Sequence, residues 1–371
     1  MSLPAIVLSL YFIYLAIALI IFFATIREDE SPAIEDFPFV SVIIAARNEE
    51  KNIRNCLESL RSQRFPRDKY EVIVVDDHSS DRTRDLVTEF SEAHKNFRYL
   101  RLAEGVTGKK RALSVGIHEA SGEYIFQIDA DCVANENWLS DLASRLGKDC
   151  ALVGGFTLVR HKRKVAEKVQ ALEYIYMLSL GKAISRPFRA LSLFGNNTAF
   201  KKKAYESAGG YQSLRPGPVE DYQLVRAFYE RGAGKAELVF HRNAVVTTEP
   251  ASSFKDYLEQ RKRWGQAALG AMSGWRFSLI PVFLIYFGAS IYPFFTKYLA
   301  AIIVLRILGD LMVVLIPVRR FRQFSLLPCL IFFEINLVLM VIYLGAPLTL
   351  SRRIRWKGRV VGGRDSNSFF F

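Results

Sequence analysis

The first half of the chain repeats one pattern: a short apolar run rich in β-branched residues, then polar residues, then an amphipathic stretch. The apolar runs are residues 40–45, 72–75 and 124–128, and aspartates directly follow the second and third runs. A run that is apolar on both faces is typical of a central strand in a parallel sheet. Alternation of such strands with helices predicts a doubly wound α/β fold, in which ligands bind beyond the carboxyl ends of the strands.

The polar stretch after the first apolar run predicts a helix. Ile53, Leu57 and Leu60 recur at helical spacing and form an apolar stripe, and we expect Asn48 to cap the helix N-terminus. A second helix is predicted over residues 109–121, and Gly122 is expected to end it.

Aspartates stand at the ends of two predicted strands. Asp76 and Asp77 follow the second apolar run, and Asp129 and Asp131 follow the third. The Asp-Ala-Asp segment has two interpretations: a solvent-exposed turn, or a site for Mg²⁺ or Mn²⁺, which prefer oxygen ligands. A bound cation would cancel the repulsion between the carboxylates and could hold a diphosphate. Taken alone, the segment favours the exposed turn, but residues further along the chain favour the cation site.

Two later segments also carry polar residues in suggestive positions. Glu220 and Asp221 follow a loop rich in Gly and Pro and precede an amphipathic helix, where the helix dipole by itself favours acids. Gln260, Arg263 and Trp264 lie in the sequence QRKRW, which is equally typical of a basic amphipathic helix on anionic lipid.

Several motifs of other enzyme classes are absent from the sequence. No GxGxxG follows the first strand, GVTGKKRA has the wrong spacing for a P-loop, and there is no HExxH or GxSxG. The four cysteines include no CxxC pair, which suits a reducing compartment and predicts neither a disulfide framework nor structural zinc.

Long apolar segments predict that the chain is attached to a membrane. Residues 5–26 carry no charge and are long enough to cross about 30 Å of hydrocarbon as a helix. A signal peptide is the alternative, but the basic n-region and the small-residue cleavage site are missing. Residues 277–296, 298–317 and 326–350 approach or exceed spanning length, and Arg306 and Asp310 in the second of these are expected to pair or to face protein.

Basic residues predict the orientation of these segments. Arg27 follows the first one, and arginines and lysines follow the later ones, so the α/β domain and the C-terminal tail are both expected on the cytoplasmic side. Three full crossings after the domain would place the tail outside, so one segment, for which we favour 326–350, is expected to be interfacial or re-entrant. The predicted regions are an anchor at 1–27, the α/β domain at 28–250, interface helices at 251–276, a transmembrane region at 277–350 and a basic tail at 351–371.

The motifs taken together resemble the membrane-anchored family 2 glycosyltransferases with a GT-A fold. This group includes ceramide glucosyltransferases, polyprenyl and carotenoid glycosyltransferases, and the processive hyaluronan, chitin and cellulose synthases. The resemblance runs from about residue 40 to 269 and rests on VSVIIAARNEE, VVDDHSSD, DAD, GNNTAFKKKAYESAGGY, VED and QRKRW, in that order. It implies an α/β GT-A domain, Rossmann-like with a mostly parallel sheet, flanked by transmembrane helices.

The resemblance also implies a role for each matched residue. Asp221 would be the general base, and Asp131 with Asp129 would bind the metal. The donor would be bound by Ala45, Arg47, Glu49, Asp77, Lys109 (or its neighbour Lys110), Asp129, Asp131, Gln260, Arg263 and Trp264. The acceptor would be bound by Asn196, Asn197, Glu220 and Trp264. The chain departs from the pattern in two places: Val219 replaces a frequent Thr, and Lys357 interrupts a C-terminal Trp-Gly-x-Arg element, here RWKGR.

The implied activity is an inverting transfer of a sugar from a nucleotide diphosphate donor, a UDP-sugar, to a membrane lipid at the cytosolic face, with Mg²⁺ or Mn²⁺. A processive polysaccharide synthase is the alternative within the same chemistry. The alternatives from other classes are a catalytically inactive membrane scaffold or transporter subunit, and a glycosidase with two facing carboxylates. The expected partners are a nucleotide sugar, a lipid acceptor and the bilayer, with no nucleic acid. The expected location is a bacterial inner membrane, which the chain would cross several times.

Overall fold

The computed structural model describes residues 3–27, 29–30, 36–147, 150–188, 195–214, 220–271, 299–350, 354–356 and 359–361. The predicted apolar segment at 277–296 and most of the basic tail lie outside these residues. The predicted division of the chain into five regions stays a prediction.

Strands make up the central part of the chain. In chain order they are β1 (Val40–Ala46), β2 (Tyr70–Asp76), β3 (Phe97–Arg101), β4 (Tyr124–Ile128), β5 (Cys132–Ala134), β6 (Cys150–Gly154), β7 (Thr157–Val159), β8 (Asn197–Lys201), β9 (Lys235–Leu238), β10 (Val246–Thr248), β11 (Ile354–Trp356) and β12 (Arg359–Val361).

Helices alternate with the strands in the central part of the chain, and long helices lie near both of its ends. In order they are α1 (Leu3–Ile26), α2 (Ile53–Arg61), α3 (Thr83–Ala93), α4 (Lys109–His118), α5 (Trp138–Ala143), α6 (Val165–Phe188), α7 (Lys202–Ser207), α8 (Glu220–Glu230), α9 (Phe254–Ala271), α10 (Leu299–Arg320) and α11 (Leu330–Leu350). Short 3₁₀ turns lie at Arg67–Lys69, Tyr211–Ser213 and Phe324–Cys329.

The described strands form a seven-stranded sheet in the order β3-β2-β1-β4-β8-β6-β9, with a smaller sheet β5-β10-β7 beside it. Strands β3, β2, β1 and β4 run parallel, whereas β8 runs antiparallel to both β4 and β6. The predicted α/β fold with a mostly parallel sheet is therefore confirmed. Because β1 lies inside the sheet, both its faces are buried: Ile43 packs on the side of α4, and Ile44 packs on the side of α2.

Two local predictions are wrong. Asn48 does not cap α2, which begins at Ile53. Its backbone adopts a left-handed φ of 52°, and its side-chain oxygen instead accepts the backbone N–H of Ser80 at 2.9 Å. Gly122 does not end α4, which stops at His118. A Cβ at Gly122 would lie 2.5 Å from the backbone nitrogen of Ser41, so a glycine is needed for close packing onto β1.

The apolar ends of the chain are helical, as predicted. Helix α1 packs against α10, where Gly309 lets the two approach closely: a Cβ there would lie 2.2 Å from the Tyr14 ring. Helix α11 begins at Leu330, after the 3₁₀ turn. Within the described residues, none of the helices combines the length and the apolar character that a membrane crossing requires. The predicted flanking transmembrane helices are thus not found there.

The charged residues inside the apolar helices have protein partners, as expected. The Arg306 guanidinium lies 2.6 Å from a carboxylate oxygen of Glu334 on α11, and the Tyr14 hydroxyl on α1 donates to Asp310. Arg306 and Asp310 are both buried. These contacts join α1 at the start of the chain to the two consecutive helices α10 and α11 near its end.

Candidate active site

The end of β2 carries the first of the predicted site residues. The buried Asp77 accepts the backbone N–H of Gly108 at 3.0 Å, just before α4 begins. The Arg47 guanidinium donates to the Asp77 carbonyl oxygen at 2.7 Å and lies 3.8 Å from its carboxylate. Asp77 therefore ties together the loops that follow β1 and β3, on the carboxyl edge of the sheet.

Lys109, the first residue of α4, connects this edge to the residues that follow β4. Its ammonium nitrogen lies 2.8 Å from Oδ1 of Asp129. The neighbouring Lys110 points elsewhere, because its ammonium donates to the Leu214 carbonyl at 2.8 Å. The structure thus selects Lys109, of the two lysines considered, as the one beside the Asp-Ala-Asp segment.

Two buried cysteines lie beneath the Asp-Ala-Asp segment, and the sequence analysis missed them. The Cys132 thiol donates to Oδ1 of Asp131 at 3.4 Å, and the Cys56 thiol donates to the Asp129 carbonyl at 3.6 Å. Burial, and then the carboxylates of Asp131 and Asp129, raise the pKa of both thiols well above the usual value. Both cysteines therefore stay protonated and act as weak hydrogen-bond donors.

The antiparallel strand β8 brings the acid of α8 to the same place. Its register sets Asn197 opposite Ile128, the last residue of β4, so Gly195 and Asn196 lie beside the Asp-Ala-Asp segment. Asn196 donates to the sulfur of Cys132 at 3.5 Å, and the backbone N–H of Gly195 donates to Oδ2 of Asp221 at 2.6 Å. The predicted base is therefore held at the edge that carries the predicted metal ligands.

The predicted acceptor contact of Asn197 is wrong. Its side chain is fully buried: the oxygen accepts the Trp138 indole N–H at 2.8 Å, and the amide donates to the carbonyls of Phe156 and Ala244. With its hydrogen bonds made inside the protein, Asn197 joins the two sheets. Asn196 is also buried but lies nearer to the site, and its oxygen accepts the Thr157 hydroxyl at 3.0 Å.

The QRKRW helix, α9, is held by a buried ion pair that sequence analysis also missed. Arg261 contacts Glu173 of α6, with Nε 3.1 Å from Oε2. Glu173 further accepts the Tyr257 hydroxyl at 2.5 Å and the Asn336 amide of α11 at 2.8 Å. Charged groups are rarely buried unless they are paired, so this network fixes α9 against α6 and α11.

The predicted residues Gln260 and Trp264 lie around this network. The Trp264 ring meets the Tyr174 ring edge-on, with centroids 5.2 Å apart, and Arg261 stacks over Trp264 at 4.4 Å. Gln260 donates to the Tyr174 hydroxyl at 3.4 Å. Burial raises the pKa of Tyr174, Arg261 opposes the rise, and the Asp131 carboxylate adds to it. Tyr174 therefore contacts α9 through both Gln260 and Trp264.

The other predicted residues occupy less informative positions. Ala45 lies near the end of β1, and Glu49 is buried in the loop after it, where it accepts the Asn52 amide at 3.1 Å. Glu220 is the first residue of α8, and Arg263 is half-buried on α9. The RWKGR element contributes β11 and β12, with Trp356 paired to Arg359, and β11 packs against α9.

The donor set at the Asp-Ala-Asp segment fits a hard cation only in part. The segment supplies two carboxylates one residue apart, and Asp129 already faces an ammonium cation, so the position favours positive charge. In the described part of the chain, no three His, Cys, Asp or Glu side chains are grouped as a complete metal site. Asp131 and Asp129 would therefore hold Mg²⁺ or Mn²⁺ together with oxygens from a bound ligand or water.

A family model for glycosyl transferase family 2 matches residues 41–209, the part of the chain that carries the edge from Asp77 to Asn196. These residues are therefore similar to the glycosyl transferase family 2 domain. Relatives of known sequence agree with this. The chain is 40% identical over 119 residues to glycosyltransferase AglE of Haloferax volcanii, covering 32% of this chain and 39% of that protein.

Two further relatives extend the similarity of the family 2 domain. The probable glycosyltransferase YdaM of Bacillus subtilis is 30% identical over 240 residues, covering 62% of this chain and 56% of that protein. A poly-beta-1,6-N-acetyl-D-glucosamine synthase of Staphylococcus epidermidis is 31% identical over 173 residues, covering 46% of this chain and 41% of that protein. The chain spans about half the length of the curated relatives it matches.

The fold of the family 2 domain is also found in a solved structure. The mannosyltransferase PcManGT from Pyrobaculum calidifontis, solved in complex with GDP-Man and Mn²⁺, matches with a TM-score of 0.53 and 19% identity, covering 91% of this chain and 99% of that one. At this identity the likeness concerns the GT-A fold alone.

Proposed function

We propose that the protein is an inverting glycosyltransferase that moves a sugar from a nucleotide diphosphate donor, a UDP-sugar, to a membrane lipid at the cytosolic face. The observation that carries the proposal is the grouping of Asp77, Lys109, Asp129, Asp131 and Asp221 at the carboxyl edge of one sheet. A diphosphate and its cation need both acids and a basic group, and four separate segments of the chain bring these groups to one edge.

The donor would bind along this edge. Arg47 and Asp77, with Ala45 and Glu49 nearby, would contact the nucleoside, and Lys109 would lie beside the phosphates. Asp131 and Asp129 would hold Mg²⁺ or Mn²⁺, which when bound neutralises charge on the diphosphate. The Cys132 thiol, kept neutral by burial, orients the Asp131 carboxylate without competing as an anion.

Asp221 is the residue we assign as general base. Its Oδ2 accepts the Gly195 N–H at 2.6 Å, which holds the carboxylate at the sheet edge where the acceptor hydroxyl would bind. Asp221 would take the proton of the acceptor hydroxyl as its oxygen bonds to the anomeric carbon. The bond from that carbon to the diphosphate breaks on the opposite face, so the anomeric configuration inverts. A carboxylate held close to the acceptor hydroxyl is a suitable type of general base for this step.

The α9 helix would close the site. Gln260 and Arg263 are assigned to the leaving diphosphate, and Trp264, with Asn196 and Glu220, to the acceptor. The Glu173–Arg261 network supports this assignment because it fixes α9 against α6, with Trp264 beside Tyr174.

The apolar helices support a lipid acceptor and attachment to a membrane. Large apolar side chains are exposed on all three: Phe12 (65%) on α1, Val304 (55%) on α10 and Ile335 (53%) on α11 are examples. Exposed apolar surface of this kind marks contacts with membranes or other proteins. We therefore propose a bacterial inner membrane as the location, with several apolar segments of the chain embedded and the α/β domain on the cytoplasmic side.

A processive polysaccharide synthase is the second candidate. It is favoured by the similarity to the Staphylococcus epidermidis protein, whose name describes a polymer product. The two candidates share donor, base and metal residues and differ in the acceptor and in the product.

Product analysis tests both candidates. Membranes containing the full chain are incubated with radiolabelled UDP-glucose, UDP-galactose, UDP-N-acetylglucosamine and GDP-mannose, with Asp221→Asn membranes as the control. Label in the lipid extract, carried as one sugar per lipid and absent from the control, supports the lipid transferase. A long labelled polymer supports the synthase. Release of free sugar alone, or equal label in the control, contradicts both.

A further inference from the structure

The C-terminal ends of α1 and α10, two apolar helices on either side of the α/β domain in the sequence, lie next to each other. The buried guanidinium of Arg320, the last residue of α10, donates to the carbonyl oxygens of Ile26 at 3.0 Å and Arg27 at 3.2 Å. The C-terminal carbonyls of α1 therefore meet the C-terminal end of α10. A positive side chain at such an end is favoured by the dipoles of both helices.

A group of exposed basic side chains lies near these helix ends. They lie in the loop before α6 and around the C-terminal end of α10, and a hydrogen bond of 2.7 Å between His161 and Gln323 joins these two segments. We name the group the basic patch, and its members are Lys162, Arg163, Arg319 and Arg322. All four are exposed, and within the described residues none of them forms an ion pair. The acid Glu167, on the first turn of α6, pairs with Lys164 at 3.9 Å and accepts the Lys162 backbone N–H.

Arg322 occupies a position where glycine would be the ordinary choice. Its φ is 57°, and the following Gln323 N–H returns to the Val318 carbonyl at 2.8 Å, which is how a left-handed residue ends a helix. The chain keeps a charged side chain there despite the strained backbone. Beside it, Phe324 is 55% exposed, and across the His161–Gln323 bond Val165 is 42% exposed.

We propose that the basic patch, with Phe324, is a binding surface for the headgroups of an anionic phospholipid bilayer. Exposed Lys and Arg at the end of apolar helices attract anionic lipid. An aromatic ring beside these charges can enter the headgroup layer. The formal charge of +13 on the chain acts in the same direction. The proposal does not depend on sugar transfer, since no residue of the patch belongs to the site at the sheet edge.

Native mass spectrometry of the full chain in detergent tests the proposal. The chain is mixed with micelles containing either phosphatidylglycerol or phosphatidylcholine, and bound lipids are counted. We expect preferential uptake of phosphatidylglycerol, weakened by raising NaCl from about 0.05 M to about 0.5 M because screening shortens the range of the attraction. Equal uptake of both lipids by the wild-type chain overturns the proposal.

Charge variants localise the effect. Lys162→Gln/Arg163→Gln and Arg319→Gln/Arg322→Gln are each expected to lower the preference for phosphatidylglycerol about tenfold. Lys162→Arg/Arg163→Lys keeps the charge and is expected to keep the preference, which guards against loss through misfolding. Lys95→Gln/Lys203→Gln removes two exposed charges elsewhere and serves as the matched control. A preference that survives in both patch variants, or falls equally in the control, overturns the proposal.

Discussion

The ammonium nitrogen of Lys109 lies 2.8 Å from a carboxylate oxygen of Asp129, so a cation faces the Asp-Ala-Asp segment. The lysine opens α4, and the aspartate follows β4, so the contact spans two elements of the carboxyl edge. Both side chains are partly buried, which strengthens their attraction relative to a surface pair. A diphosphate at this edge would meet a positive charge on one side and the two carboxylates with their cation on the other.

Removing the Lys109 charge is expected to weaken donor binding. In Lys109→Gln the KM for the nucleotide sugar should rise about tenfold to hundredfold, because a hydrogen bond to a charged group contributes about 1.5–3 kcal/mol. Initial rates at varied donor concentration measure this. Lys203→Gln on α7 removes an exposed lysine far from the edge and should match wild type. An unchanged donor KM in Lys109→Gln would show that Lys109 does not contact the donor.

Asp221→Asn is expected to lower kcat about 10²- to 10⁴-fold while donor affinity stays within about twofold, since the variant loses only the base. An asparagine oxygen can still accept the Gly195 N–H, so the melting temperature should change little. Single-turnover rates and calorimetric UDP binding separate the two effects. Transfer at near wild-type rate would remove Asp221 from the mechanism.

Metal dependence is expected to reside in Asp131. With Asp131→Asn, UDP affinity in Mn²⁺ should fall to the level that wild type shows in EDTA, because a neutral amide is a poorer ligand for a hard cation than a carboxylate. Isothermal titration with and without Mn²⁺ measures both values. Asp68→Asn, an exposed change outside the site, is the control. Mn²⁺-dependent binding that survives in Asp131→Asn contradicts the metal assignment.

The buried Arg261–Glu173 pair is expected to matter far more for stability than an exposed pair of the same type. Arg261→Met should lower the free energy of unfolding by about 3–5 kcal/mol, because it leaves Glu173 buried without its charge partner. The control is Arg226→Met, which breaks the exposed Arg226–Glu230 pair on α8 and should cost about 0–1 kcal/mol. Chemical unfolding of the detergent-solubilised chain measures both, and equal losses would refute the difference.

Ionisation of Tyr99 is expected to lower the stability of the fold at alkaline pH. Burial, and then the Asp76 carboxylate that accepts its hydroxyl at 3.2 Å, raise the pKa of Tyr99 to about 12. A phenol with a raised folded pKa stabilises the fold fully below the unfolded pKa of about 10 and loses that contribution as pH rises through about 12.

The melting-temperature advantage of wild type over Tyr99→Phe should therefore shrink between about pH 10 and pH 12. The absorbance difference at 295 nm between the two proteins should show one phenol that ionises near the upper value. A constant advantage across that range, or ionisation near the ordinary pKa, contradicts the Asp76 contact.

The strand ends could be predicted because they depend on local pattern. Asp77 and Asp129 follow apolar runs, and parallel strands bring such residues to one edge whatever the rest of the chain does. Lys109 and Asp221 could be reached only through the resemblance of whole motifs, since nothing in their local sequence distinguishes them from surface charges.

Residues that act through distant partners could not be predicted. Glu173 and Arg261 lie 88 positions apart, and their pairing follows from the packing of α6 on α9. Asn197 was misassigned for the same reason: the antiparallel placement of β8 buries it between two sheets, and that register is set by long-range pairing. Cys132 was overlooked because cysteines were considered only in pairs, although its position directly after Asp131 was a usable signal.

The contact of Arg320 with the last carbonyls of α1 bears on how the chain is made. The two partners are separated by 294 positions, so α1 leaves the ribosome long before the residue that secures its end has been synthesised. During that interval the newly made α1 must be sheltered by lipid or a chaperone, while the α/β domain folds behind it. Chains truncated before α10 should consequently aggregate or be degraded, even though they contain every acid of the sheet edge.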